Sequence, residues 1–263
     1  RENILFGHKS VIATPHLGAS TVEAQEKVAL QVAEQIADYL LSGAVTNALN
    51  MPSISAEESK LLTPYMKLAE QLGSFAGQAT QTAYTAITIE YEGLVSKLNT
   101  NPLTAIILKG LLSPLLEGVN LVSAPLIAKE RKINISEVTR DNAGAYQTLI
   151  KLTITTQVQT RSVAGTLFNN QDPRLVEIKG IPIDATLGPN MLFVTNKDKP
   201  GFIGTLGTIL GNAGINIATF NLGRAKIGGD AIALIEVDSK PSQSLLDEIR
   251  ELQHVVVVKS MHF

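Results

Sequence analysis

The chain has no cysteine among its 263 residues, which excludes disulfides, thiol catalysis and cysteine-held metal or iron–sulfur centres. Neither sign of charge is in excess. Twenty-two basic residues stand against 24 acidic ones, so there is no electrostatic basis for binding nucleic acid or an anionic membrane. No apolar run reaches the ~20 residues of a membrane-spanning helix. The nearest, Leu103–Leu116, is broken by Lys109 and Pro114. Arg1–Gly7 is too short and too polar for a signal peptide. His8, His254 and His262 lack partners at metal-ligand spacing, so no metal site is expected. No G-x-G occurs, so the phosphate-cradling dinucleotide fingerprint is absent. Gly201, Gly204 and Gly207 fall at spacings of three along one predicted helix, where they are expected to allow close packing. With 44% hydrophobic and 5% aromatic residues over this length, two or three domains are expected, and the absences favour the cytoplasm.

The most informative stretch runs from Met191 to Phe220 and reads as strand, loop, helix, strand. Leu192 and Val194 alternate with Phe193 and Thr195, predicting a half-buried strand. Pro200 suits a first helical position, and Phe202, Ile203, Leu206, Ile209, Leu210 and Ala213 follow on one helical face before Gly214. In the loop, Asn196 and Asp198 precede Pro200 and Gly201. Helix-start N–H groups accept a carboxylate, while Asp198 and Asn216 suit an ammonium group, together a socket for a zwitterion. An ordinary polar turn explains the same residues equally well. Beyond Arg224, a Gly228–Asp230 turn, a strand Ala231–Asp238, a helix near Ser242–Leu252 and a strand His254–Phe263 complete a βαββαβ order, as in a ferredoxin-like sandwich.

The loop Asn196-x-Asp198-x-Pro200–Gly201 and the turn Ala213–Ile217 make residues 189–263 resemble an ACT domain of the serine-responsive kind. The resemblance implies an amino-acid effector, L-serine, held between two such domains by Asn196, Asp198, Pro200, Gly201 and Asn216. It also implies self-association as a homodimer or homotetramer.

Near the other end, Ser10–Ala13 reads as a short strand. Ser20 with Glu23 forms a capping box for a helix carrying Val28, Val32, Ile36 and Leu40, and Gly43 ends it. A lone loop histidine such as His16 is usually structural or merely exposed. Here the octet Thr14–Thr21 resembles the carboxy-terminal signature of D-2-hydroxyacid dehydrogenases, in particular the phosphoglycerate dehydrogenases. That resemblance implies His16 as general acid/base and Gly18 and Ala19 beside the nicotinamide of NAD. The family's substrate-binding arginine and histidine-orienting acid have no counterpart before Ile12. Residues 1–45 therefore read as a remnant of a catalytic region, and the chain as the C-terminal portion of a longer dehydrogenase, inactive alone.

Residues 46–188 form a separate α+β region. Ser55–Glu58 is a helix start, continued by Leu61, Leu62, Tyr65, Leu68, Leu72 and Phe75. Thr85–Tyr91 is a strand, followed by helices over Leu103–Leu116 and Ala124–Lys132 and a strand Ile133–Val138. Thr148–Thr160 and Ser162–Phe168 form a hairpin about Gln159–Arg161, and Arg174–Ile178 with Ile181–Asp184 another through Lys179–Gly180. Leu121–Pro125 and Ser162–Leu167 resemble the intervening, allosteric substrate-binding domain of long-form phosphoglycerate dehydrogenases. Some relatives bind an anion there, which makes Arg174 the candidate ligand. Ile181 and Pro182 stand where such relatives are basic, and Lys129, Arg131, Lys132 and Arg174 read better as a solvated face. Two further classes share modules with this one: the regulatory part of an L-serine dehydratase, whose iron–sulfur cluster needs cysteines, and a free-standing amino-acid sensor.

Overall fold

The computed structural model describes residues 3–80 and 82–263, which fall into two compact units. The first holds residues up to Leu49 together with Ser53–Lys60, and the second holds Asn50–Pro52 and Leu61–Phe263.

In the first unit, helix α1 spans Val22–Ser42. Its cap is Thr21, one residue later than expected, whose Oγ1 accepts the Ala24 N–H at 3.2 Å. Gly43, at φ 71°, closes the helix with an N–H donated to the Tyr39 carbonyl. The anticipated stripe is present but bare: Val32 is 47% and Leu40 76% exposed, and no α1 residue is buried. The expected strand Ser10–Ala13 does not form. The Val11 N–H instead donates to the His8 carbonyl, and no neighbouring strand supplies a ladder for these residues.

Helix α2, Ala56–Ala79, opens with the reciprocal box read from the sequence. The Glu58 N–H donates to Ser55 Oγ at 3.2 Å and the Ser55 N–H to Glu58 Oε2 at 2.9 Å. Its buried face, including Leu62, Leu68, Leu72 and Phe75, packs on a six-stranded sheet. The strands are β1 Tyr84–Gly93, β2 Asn134–Arg140, β3 Thr148–Thr156, β4 Thr160–Phe168, β5 Asp172–Ile178 and β6 Ile181–Ala185, in the order β2-β1-β3-β4-β5-β6. Only β1 and β2 are parallel, joined through α3, Asn101–Leu112, and α4, Ser123–Glu130. α3 stops short of Leu116 because Pro114 has no N–H to continue the ladder. The β3–β4 turn occupies residues 157–159, slightly before the expected position. At the β5–β6 turn Lys179 and Gly180 both have positive φ, 52° and 75°, as a tight two-residue hairpin demands.

The C-terminal part is a four-stranded antiparallel sheet in the order β10-β7-β9-β8, with β7 Met191–Lys197, β8 Ile217–Arg224, β9 Asp230–Val237 and β10 Val255–Met261. Helices α5, Phe202–Asn212, and α6, Gln243–Arg250, cover one face through Leu206, Leu210, Leu245 and Ile249, packed on Leu192, Val194 and Ile235. The expected half-buried β7 is buried on both faces. Phe193 points away from the helices and meets Phe75 of α2 edge-on at 5.4 Å between centroids. Met191–Asn196 is therefore a continuous buried run, as in a strand enclosed between layers.

Close glycine packing occurs, but at other positions than expected. A Cβ on Gly73 of α2 would stand 2.5 Å from the Ile107 carbonyl oxygen of α3, and one on Gly77 2.8 Å from that of Gly110. The helices cross there backbone to backbone. Gly204 and Gly207 of α5 have nothing within 4 Å of an added Cβ. Gly73→Ala is thus expected to destabilise the chain by roughly 1–3 kcal/mol, whereas Gly207→Ala should stabilise the helix by roughly 0.5–1 kcal/mol. Chemical unfolding of the two variants under monomeric conditions checks the contrast.

Candidate functional site

The loop after β7 is organised by one carboxylate. Asp198 Oδ2 accepts the Gly228 N–H at 3.0 Å and Arg224 Nη1 at 3.0 Å, while the Asp198 N–H donates to the Gly229 carbonyl at 2.8 Å. This ties the β7–α5 loop to the β8–β9 turn. The Gly228 N–H and the Arg224 hydrogen bond, with the Arg224 and Lys199 charges behind them, hold the Asp198 pKa below the ordinary carboxylate value against an opposing desolvation. Among the described residues no hydrogen bond reaches Oδ1, so that oxygen is free to meet a ligand.

Pro200 precedes the helix rather than opening it. Gly201, at φ 92°, is the N-cap, a conformation that a side chain would strain. It has no side chain to cap the first-turn N–H groups of α5, which face an open depression of about 530 Å³ lined by Asp198, Pro200, Gly201, Phe202, Arg224 and Ile227. Ile203 and Ile227 beside it are 52% and 84% exposed.

Two expected ligands do not join this group within one chain. Asn196 is only 3% exposed, its Nδ2 donating to the Lys197 carbonyl at 2.9 Å and its Oδ1 buried without a partner. Asn216 lies at the far end of the sheet. β7 and β8 both pair antiparallel with β9, so they run parallel to each other, and Ala231 opposes both Asn196 and Arg224. Asn216 precedes the first residue of β8, about 26 Å from Arg224 along the strand at ~3.3 Å per residue. There its Nδ2 donates to Asp238 Oδ2 at 3.1 Å. A single-chain socket made of Asp198 and Asn216 is therefore ruled out by strand order.

The other candidates are separate. Arg174 is already occupied by Asp184 at 3.2 Å and by the Phe168 ring, 5.2 Å from its guanidinium. Lys132 enters β2, four strands from β5 and therefore about 19 Å across the sheet at ~4.8 Å per strand, so these cations form no cluster. His16, Gly18 and Ala19 are exposed on turns ahead of α1, and among the described residues no hydrogen bond or ion pair engages the His16 ring. Among the described residues no His, Asp and Glu cluster suits a metal, and no helix is long and apolar enough to cross a membrane.

A βαββαβ sheet follows a helix-covered six-stranded domain, and both have counterparts among known proteins. Residues 190–254 match the family model of the ACT domain, and residues 61–179 that of the D-3-phosphoglycerate dehydrogenase intervening domain. The chain thus carries a D-3-phosphoglycerate dehydrogenase intervening domain followed by an ACT domain, and relatives that match over nearly its whole length are D-3-phosphoglycerate dehydrogenases. It is 36% identical over 259 residues to the D-3-phosphoglycerate dehydrogenase of Bacillus subtilis (strain 168), covering 98% of this chain and 49% of the relative. The enzymes of that name from Synechocystis sp. and Methanocaldococcus jannaschii are 38% and 36% identical, over 95% and 97% of this chain and 46% and 48% of theirs. The chain thus spans about half the length of the curated relatives it matches.

Arg224 and the Gly228 N–H, the partners that hold Asp198, were missed from the sequence, although the Gly228–Gly229 turn itself was visible. Their effect is measurable. Because the folded-state pKa is lowered, the stabilisation from ionised Asp198 is present above its unfolded value and is lost as pH falls through the lowered one. Carboxyl NMR titration should find Asp198 still ionised after exposed aspartates have begun to protonate. In Arg224→Met its pKa should move part of the way back up, the Gly228 N–H remaining. An unmoved value would show that Arg224 plays no part.

Proposed function

We propose that this chain is the regulatory C-terminal portion of an NAD-dependent D-3-phosphoglycerate dehydrogenase, acting in the cytoplasm at the entry to L-serine synthesis, and that its ACT domain binds L-serine as feedback inhibitor between two chains. The observation that carries the pairing is the placement of Asp198 and Asn216 at opposite ends of one sheet. β8 is an edge strand, paired only with β9. A twofold axis through that edge would pair two β8 strands antiparallel and bring the Asn216 end of one against the Arg224–Asp198 end of the other. Each complete site would then take its loop from one chain and its amide from the partner. The open glycine face of α5 and the exposed Ile203 and Leu222 suit the same contact.

In this arrangement Asp198 Oδ1 accepts the ligand ammonium, the first-turn N–H groups of α5 take its carboxylate, and Asn216 closes the far side. Serine has few heavy atoms, and at roughly −1.5 kcal/mol per atom its binding is limited to about −10 kcal/mol. A micromolar dissociation constant, about −8 kcal/mol, therefore requires nearly every polar group to be matched. Asp198→Ala should weaken binding more than Asn196→Ala, since a charge-assisted bond exceeds a neutral one and Asn196 is buried.

Subunit complementation tests the shared site. Asp198→Ala and Asn216→Ala homodimers should each bind L-serine weakly by calorimetry. Mixed and allowed to exchange, they should regain tight binding, because each mixed dimer holds one site with both residues intact. If mixing restores nothing while sedimentation shows mixed dimers, the site does not span two chains. If wild type binds no serine, glycine or D-serine, the domain is a dimerisation element without a sensing role.

A further inference from the structure

The Asn216 end of the ACT sheet holds a carboxylate that no cation engages. Asp238 directly follows β9, where the pairing of Ile217 with Val237 sets it beside Asn216. The two residues clasp each other. The Asp238 N–H donates to the Asn216 carbonyl at 3.2 Å, and Asn216 Nδ2 donates to Asp238 Oδ2 at 3.1 Å. Among the described residues this is the one side-chain bond of Asp238, and no ion pair reaches it. Nor does the next helix need it, since α6 is capped by Ser242, whose Oγ accepts the Leu245 N–H at 3.2 Å.

The carboxylate settles the direction of an amide. At neutral pH it only accepts hydrogen bonds, so a flipped amide would set Asn216 Oδ1 against another acceptor. Asn216 is thereby held with its nitrogen on Asp238, and among the described residues no hydrogen bond reaches its Oδ1. An ammonium group has three donors to satisfy, and in the shared site Asp198 Oδ1 meets one of them. We propose, resting on that reading of a serine site between two chains, that Asp238 is a positioning residue: it commits Asn216 to offer its oxygen as a second acceptor for the ligand ammonium. Without Asp238 the amide turns freely, and one of its two orientations sets N–H donors against the ammonium. Both residues are exposed in the single chain, where water competes for their bond. A partner chain over that end excludes the water and strengthens it.

The test is calorimetric titration of L-serine into the 263-residue chain and its variants. Asp238→Ala should weaken binding about fivefold, the worth of one hydrogen bond. In an Asn216→Ala background the same change should weaken it no further, whereas damage to the end of β9 would act alike in both backgrounds. Asp238→Asn, whose side-chain oxygen still accepts from Asn216, should keep most of the affinity. In NMR spectra of the ligand-free chain, the Asn216 side-chain amide protons should titrate in step with the Asp238 carboxyl. Wild-type affinity in Asp238→Ala, an equal loss in both backgrounds, or amide protons that ignore the titration would each overturn the role of Asp238 and leave the shared site standing. If the wild-type chain binds no L-serine, the shared site falls and this role with it.

Discussion

The last carbonyls of an α-helix have no partner within the helix, and a buried helix end without outside donors is untenable. At the end of α2 those donors come from two different sheets: Arg161 from the intervening domain and Lys259 from the ACT sheet. Gln78 adds a two-way bond to the backbone of His262, its Nε2 donating to the carbonyl at 2.8 Å and its Oε1 accepting the N–H at 3.0 Å. The two domains are thus joined through one helix terminus. The Phe75–Phe193 contact one turn earlier adds apolar area to the polar clasp.

That junction decides which surfaces of the ACT sheet remain available. Helices α5 and α6 cover one face, and the intervening domain covers the other, so closely at β8 that a Cβ on Gly223 would run into the Pro182 carbonyl. What remains is the outer edge of β8 and the loop held by Asp198. An exposed edge with unpaired backbone groups is a template for another strand. The covered faces therefore leave one edge open, and the loop and helix start of the proposed site lie on the same sheet.

Much of this was legible in the residues themselves. The Ser55–Glu58 box, the Lys179–Gly180 hairpin and the βαββαβ order depend on local signals, and each formed as read. The failures share a cause, since each needed knowledge of what lies across a gap in sequence. Ser10–Ala13 has strand-like residues but pairs with no strand among the described residues. The evenly spaced glycines of α5 look like packing residues and face open space, while Gly73 and Gly110, unremarked, let two helices touch. Alternation puts Phe193 on the solvent side of a half-buried strand, whereas the unbroken apolar run Met191–Val194 signals burial on both faces.

The candidate site shows the same division between local and non-local information. Spacing places Asn196 two residues before Asp198, but β7 ends at Lys197, so the strand buries Asn196 while Asp198 stands in the loop. Spacing cannot place Asn216, whose distance from Asp198 depends on β9 lying between β7 and β8. Once that order is known, a ligand touching both residues must bridge two chains. Its binding energy is then shared with the dimer contact, and by linkage whatever tightens the pair tightens the ligand by the same factor. Asp198 also fixes the β8–β9 turn through Arg224 and Gly228, so the anchor of the proposed ligand and the turn at the end of the β8 edge rest on one carboxylate.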